Sequence, residues 1–274
     1  MTGPARPRPI DATAPQARPV RVAAVGDVHV GADSRATLAP ALRGVEQRAD
    51  VLLLAGDLTR CGSPAEAAVL ADELRDVTIP LVGVLGNHDH HDGRDEALVA
   101  ALEAAGVTIL EGTAVRIELH DGRSLGVAGV KGFGGGFPPT AVSPFGEREL
   151  KAFIGHTADA AHQLRAALDG VAACDARVAL LHYAPVRDTV EGEPPEIHAF
   201  LGSQLLGEAV DAAGADLIVH GHAHHGSERG TTPTGIPVRN VAMPLIGCAY
   251  RVFNVGGAGC GVVSGPASVG RASP

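Results

Sequence analysis

Five short apolar runs set the plan of this chain, and each of them stops at metal-loving side chains. Residues 22–25 lead into Gly26-Asp27-Val28-His29, and residues 51–55 into Gly56-Asp57. Residues 81–85 lead into Gly86-Asn87-His88-Asp89, residues 178–181 into His182, and residues 217–219 into His220-Gly221-His222-Ala223-His224. Apolar runs this short, bounded by Gly and Asp, read as buried strands. In open α/β sheets, ligands gather outside the carboxyl ends of the strands. Strands lying side by side would therefore bring all five clusters to one rim.

The segments between the runs support that plan. Amphipathic stretches at 35–48, 64–75 and 94–105 alternate with the first three runs, a βαβαβ rhythm with parallel strands. Ser63 before Pro64 suits an N-cap with proline in the first helical turn. Later, residues 114–119 and 124–130 alternate apolar and polar around His120-Asp121-Gly122-Arg123, a hairpin signal. A Gly/Pro-rich loop covers 131–146, a long helix about 147–168, and a shorter helix 204–213. Residues 237–242 and 249–255 are expected to close the fold as an antiparallel pair. The expected architecture is α/β: two mixed sheets with helices outside. Residues 1–19, rich in Pro, Ala and Arg, are expected to be a mobile tail, 20–255 one domain, and 256–274 a Gly/Ser-rich flexible tail.

Composition narrows the function. Of 274 residues, 45% are hydrophobic and 19% charged, which excludes global disorder. The net charge is −9, so bulk attraction does not draw a nucleic acid, and 3% aromatics with no Trp make stacking platforms for single strands an unsuitable reading. Cys61, Cys174, Cys248 and Cys260 form no CxxC pair and read as small packed thiols. No run reaches the ~18 apolar residues of a membrane span. The N-terminal sequence lacks the apolar stretch of a signal peptide, so the expected compartment is the cytoplasm.

The clusters combine carboxylate, imidazole and amide oxygen, which suits Mn, Fe, Zn or Co better than Ca. Asp27, His29, Asp57, Asn87, His182, His222 and His224 are too many donors for one tetrahedral zinc. They suit two cations about 3.5–4 Å apart that share a bridging carboxylate. Asp-x-His and His-x-His would point two ligands the same way if the backbone there is extended, with its period of two. Of the 13 histidines, His29, His88, His182, His222 and His224 lie in the clusters, and His90, His91, His220 and His225 beside them. Any one of these alone reads as an ordinary packed histidine; their joint placement reads as a metal centre. His120, His156 and His162 lie away from the strand ends.

Asp-x-His, Gly-Asp, Gly-Asn-His-Asp, His and Gly-His-x-His, in this order, resemble the calcineurin-like metallophosphoesterase superfamily over roughly residues 20–255. The resemblance implies a four-layer αββα sandwich. It implies one divalent cation (Mn, Fe or Zn) held by Asp27, His29 and His224, a second by Asn87, His182 and His222, and Asp57 bridging them. It implies attack of a metal-bridging hydroxide on phosphorus, with His88 facing the leaving-group or phosphoryl oxygens and Asp89 orienting His88. Residues 182–185 (His-Tyr-Ala-Pro) and 189–194 look closest to small bacterial phosphoesterases related to the class III cyclic-nucleotide phosphodiesterases.

Arg60, His91, Lys131 and His198 are the further candidates for contact with a small phosphate-ester substrate. Lys131 opens a glycine-rich loop whose amides could form an anion nest, and the acidic loop 187–198 could cap the same rim. The alternatives to a phosphomono- or diesterase are a cyclic-nucleotide phosphodiesterase, a nuclease, and a phosphatase-fold scaffold that only binds partners. A metal-dependent amidase would need HxHxDH or HExxH patterns, which are missing. An exposed Val/Leu face would allow a homodimer.

Overall fold

A computed structural model describes residues 18–256 and the strand Gly261–Val263. The rest of both expected tails lies outside the described residues. The first sheet begins with β1 (Val20–Val25), continued in parallel by β2 (Val51–Ala55), β3 (Leu81–Val84) and β4 (Val107–Ile109). The second holds the hairpin β5 (Thr113–Glu118) and β6 (Ser124–Val130), then β7 (Ala176–Leu181) and β8 (Leu217–His220), both parallel to β6. The remaining strands are β9 (Arg229–Thr231), β10 (Pro237–Asn240), β11 (Arg251–Val255) and β12 (Gly261–Val263).

The expected closing pair does not form. β10 runs parallel to β8 and antiparallel to β9 in the second sheet, whereas β11 runs antiparallel to β1 in the first. Each is thus an edgeward addition to a different sheet. β12 continues the first sheet from β11, inside the stretch expected as a tail. The strand orders are β12-β11-β1-β2-β3-β4 and β5-β6-β7-β8-β10-β9.

The strand alternation builds the layers. Val20, Val22 and Ala24 of β1 pack with Val51, Leu53, Val178, Leu180, Leu217 and Val219 in a core between the sheets. Their neighbours Ala23 and Val25 point the other way, onto α3 (Pro64–Leu74) and α4 (Asp95–Ala104), through Leu70, Leu74, Leu98 and Leu102. In β7, Ala179 and Leu181 face α5 (Arg148–Gly170) and α7 (Gln204–Ala213), through Leu164, Leu168, Leu206 and Val210. The result is the expected four-layer αββα sandwich. Each fully buried Leu or Val contributes about 1.5–3 kcal/mol by leaving water.

α3 starts where its sequence says. Ser63 and Glu66 form a reciprocal capping box, and Pro64 sits in the first turn. The stretch 35–48 is different: it holds two one-turn helices, α1 (Ala39–Leu42) and α2 (Val45–Arg48). Arg43 leaves the helix at ψ 127°, and Gly44 follows in the left-handed region at φ 77°, which breaks the 3.6-residue path. The short helices α6 (His198–Leu201) and α8 (Met243–Ile246) complete the set. No helix among the described residues is long and apolar enough to cross a membrane.

Candidate metal centre

The carboxyl ends of β1, β2, β3, β7 and β8 converge, and three overlapping groups of metal donors form there. Asp27, His29 and His224 make one group; His29, Asp57 and His88 a second; Asp57, His182 and His222 a third, each with its ligand atoms within 4.8 Å of one another. Asp57 lies between the flanking groups. Its Oδ2 is 3.8 Å from His29 Nε2 and 4.0 Å from His88 Nε2, and its Oδ1 is 3.4 Å from His182 Nε2. Asn87 joins from the end of β3, with Oδ1 3.0 Å from His182 Nε2.

The convergence does not come from extended backbone, as the spacing argument expected. Asp27 (φ 56°), His29 (φ 43°), Asp57 (φ 49°) and His222 (φ 71°) all sit in the left-handed region; Ala36 is the one other non-glycine residue there among the described residues. Asp and His tolerate this region better than most residues, at a cost of order 1–3 kcal/mol each. Four such residues in one cluster mark a place where geometry is held for a purpose other than stability. Two glycines make room for it. A Cβ on Gly86 would meet Asp57 Oδ1 at 2.1 Å, and one on Gly221 would meet Asp27 Oδ2 at 2.2 Å. Both substitutions would displace a carboxylate of the cluster.

His182 shows that these donors fit a cation. It is fully buried, and burial pushes its pKa down to about 3, so the ring is neutral and carries one N–H. Yet Nδ1 is 2.9 Å from the Ala55 carbonyl oxygen and Nε2 is 3.0 Å from Asn87 Oδ1. One proton cannot serve two acceptors, and Asp57 Oδ1 adds a third. A cation at the Nε2 side, with Nδ1–H donating to Ala55, resolves the conflict. The neighbouring His220 makes the contrast. It is equally buried, with its pKa pushed down to about 4, but its Nε2 faces at 2.8 Å the Thr189 hydroxyl, whose proton can go to that ring or to the Val186 carbonyl oxygen 3.1 Å away.

Burial likewise pushes His222 down to about 3, and its Nε2 faces the Phe200 carbonyl oxygen at 3.2 Å. Nε2–H donation there leaves Nδ1 as the free lone pair. Burial pushes the Asp27 carboxyl up to about 6, against the opposing pull of its 2.9 Å bond to His224 Nε2. That bond is also what raises the His224 pKa. A cation beside them would do the work of the shared proton and reverse the shift of Asp27.

Asp89 was expected to orient His88 and does not. His88 Nδ1 is 2.9 Å from the Arg60 carbonyl oxygen. The buried Asp89 carboxylate instead accepts from Leu58 N (3.0 Å), Thr59 N (2.8 Å), Thr59 Oγ1 (2.6 Å) and Gly86 N (2.8 Å). It pins the loop after β2 to the loop after β3, and so fixes Asp57 against Asn87 and His88. Asp89→Asn would turn an amide donor toward those N–H groups. Each buried donor left unpaired costs about 1–3 kcal/mol, so the expected loss is about 2–4 kcal/mol. At this chain length that lowers the thermal midpoint by roughly 4–16 °C, measured by calorimetry on metal-free protein.

The other candidates are placed unevenly. Arg60 is half exposed and pairs with the exposed Asp33 at 3.1 Å, a contact of little strength. Lys131 lies beside the cluster: its carbonyl accepts from His182 N and Tyr183 N. Its loop offers no anion nest at Gly135 and Gly136, whose amides donate to the carbonyls of Ala199 and Gly202. His91 is exposed and belongs to none of the donor groups. His198 is buried on α6 and donates to the Glu193 carbonyl; it lines a separate cavity of about 350 Å3 with Arg187, Phe137 and Pro195. Sequence reading missed Thr59, whose partner Asp89 lies 30 residues away, and Tyr183, whose ring packs 4.4 Å from that of His222.

The sequence matches the calcineurin-like phosphoesterase family over residues 20–226, a stretch that includes every donor described above. The chain belongs to this family. Solved structures share its fold at low identity. The phosphopantetheinyl hydrolase PptH of Mycobacterium tuberculosis is 16% identical, with a TM-score of 0.60 over 83% of this chain and 91% of that one. A putative 5'-nucleotidase from Staphylococcus aureus is 16% identical, with a TM-score of 0.57 over 93% of this chain and 55% of that longer one. GAP50 of Plasmodium, described as the anchor in the inner membrane complex, is 12% identical, with a TM-score of 0.59 over 89% and 84%. No curated protein aligns with the chain. As a calcineurin-like phosphoesterase, the protein has the fold expected from its motifs, and its His/Asp cluster offers donors that could hold divalent metals of the kind this family binds.

Proposed function

We propose that the protein is a metal-dependent hydrolase of phosphomono- or diesters with small alcohol parts. The observation that carries this is the facing of the neutral His182 ring, Asn87 and Asp57, an arrangement of acceptors that calls for a cation. Asp27, His29 and His224 would hold one divalent ion, Asn87, His182 and His222 the other, and Asp57 would touch both. Mn, Fe and Zn all suit such oxygen and imidazole donors. Bound there, the ions would neutralise phosphoryl charge and lower the pKa of water.

The chain's own residues do the rest. With Nδ1–H given to the Arg60 carbonyl, His88 turns Nε2 toward the cluster and can hold a proton for the departing oxygen. Arg60 is loosely enough paired to turn from Asp33 to a phosphoryl oxygen. GAP50 shares the fold and is described as an anchor, so fold alone does not separate enzyme from scaffold. The full donor set favours the enzyme.

The test uses bis-p-nitrophenyl phosphate and p-nitrophenyl phosphate. Metal-stripped protein should be inactive on both, and Mn, Fe or Zn added back should restore turnover of at least one. No hydrolysis of either ester with any of the three metals overturns the proposal.

A further inference from the structure

Aromatic side chains are scarce in this protein, six Phe and two Tyr with no Trp, and their placement is uneven. A path of rings starts at His222 in the donor cluster. Tyr183 lies 4.4 Å from it, Phe133 5.6 Å from Tyr183, Phe153 5.0 Å from Phe133, and Phe200 6.5 Å from Phe153, centroid to centroid. The path closes on itself, because the Phe200 carbonyl oxygen is 3.2 Å from His222 Nε2. Phe200 is also one of three large apolar residues exposed among the described residues, at 61%; the others are Phe145 and Ile197. A lone exposed Phe carries no message. This one is held at the donor cluster by its own backbone, at the end of an aromatic arc whose other members are buried or half-buried.

The charge around it narrows what it can meet. The segment that delivers α6 carries Asp188, Glu191, Glu193 and Glu196 against one cation, Arg187, which is paired with Glu191, and the whole chain is anionic. The net negative charge of this segment favours an uncharged ligand part on Phe200 over a second phosphate. Flat rings gain most on such a surface, by stacking and by loss of apolar area to water.

We propose that Phe200 is a specificity-determining residue, and that the site takes phosphate esters whose organic part carries a flat aromatic or heteroaromatic group. This rests on the phosphoesterase reading above and adds the substrate class to it. The ring of the ester lies against Phe200 while its phosphoryl group reaches the donor cluster.

Binding and turnover test it together, on the full chain loaded with Mn. Two non-hydrolysable probes, naphthylphosphonate and methylphosphonate, are titrated by calorimetry. Two esters, 1-naphthyl phosphate and glycerol phosphate, are followed by steady-state rates. The intact protein should bind naphthylphosphonate more tightly than methylphosphonate. Phe200→Ala should weaken naphthylphosphonate binding, and raise KM for the naphthyl ester, by about 5–20-fold, the range of an aromatic stacking partner removed. Methylphosphonate affinity and glycerol phosphate kinetics should stay within about twofold, and Phe200→Trp should keep the preference. Phe200 is exposed, so the fold should hold; were Phe200→Ala to unfold, Phe200→Leu reads the same difference. Equal losses for both probes, or no loss for either, overturn the proposal and leave the phosphoesterase standing. Absence of binding by both phosphonates together with absence of turnover overturns the phosphoesterase reading, and this proposal with it.

Discussion

Asp57→Asn is expected to lose cation binding and phosphoesterase turnover together. The Asp57 side chain is buried and divides its oxygens between two donor groups, Oδ2 toward His29 and His88, Oδ1 toward His182. An amide keeps the shape and one acceptor oxygen, so the 2.8 Å bond from His88 N to Oδ1 can survive and hold the loop. What it loses is the negative charge and one of the two oxygens. A carboxylate shared by two cations offsets their mutual repulsion, and an amide does not. Metal content measured on purified variant should fall well below that of the parent. Turnover of bis-p-nitrophenyl phosphate should fall on the order of 10³-fold, the scale of removing one fixed electrostatic group from a site of this kind. The thermal midpoint of the metal-free variant should stay close to that of the parent, which separates the effect from unfolding. Metal content at the parent's level with unchanged turnover would remove Asp57 from the role assigned to it.

The donors were legible because strand ends announce themselves. Apolar runs are easy to see, and Asp27, Asp57, Asn87, His182 and His222 stand within three residues of their ends. What could not be read was how the backbone presents those side chains. The period-two argument puts Asp27 and His29 on one side of a strand, whereas the chain has already left extended geometry at φ 56° and 43°. The residues of these motifs do come together, by a backbone route other than the one their spacing suggested. Contacts between distant segments were equally hidden. Asp89 sits next to His88 in sequence, which invites a pairing, but its oxygens are claimed by Leu58, Thr59 and Gly86. β10 and β11 are neighbours in sequence and belong to different sheets, β10 pairing with β8 and β11 with β1. Phe200 lies in a segment with no periodic pattern at all, and only the folded chain puts its carbonyl on His222.

His88→Ala should separate the chemical step from metal binding. The ring is half exposed, its Nε2 stands 4.0 Å from Asp57 Oδ2, and it packs at 75° to the His29 ring with the centroids 4.6 Å apart. Its Nδ1 contact with the Arg60 carbonyl fixes the direction of Nε2 without using it. A residue so placed can give a proton to a departing alcohol, and loss of a positioned acid lowers the rate by about 10²–10⁴-fold. The size of the loss should depend on the leaving group. A p-nitrophenolate leaves without help, so its ester should lie at the mild end of that range, whereas an alkyl phosphate, which must leave as an alcohol, should lie at the severe end. Metal content should remain at the parent's level. His88 is also within 4.8 Å of donor atoms of His29 and Asp57, so the opposite outcome is well defined. If the variant loses an ion, and every ester slows by the same factor, His88 is a metal ligand and the proton must come from elsewhere.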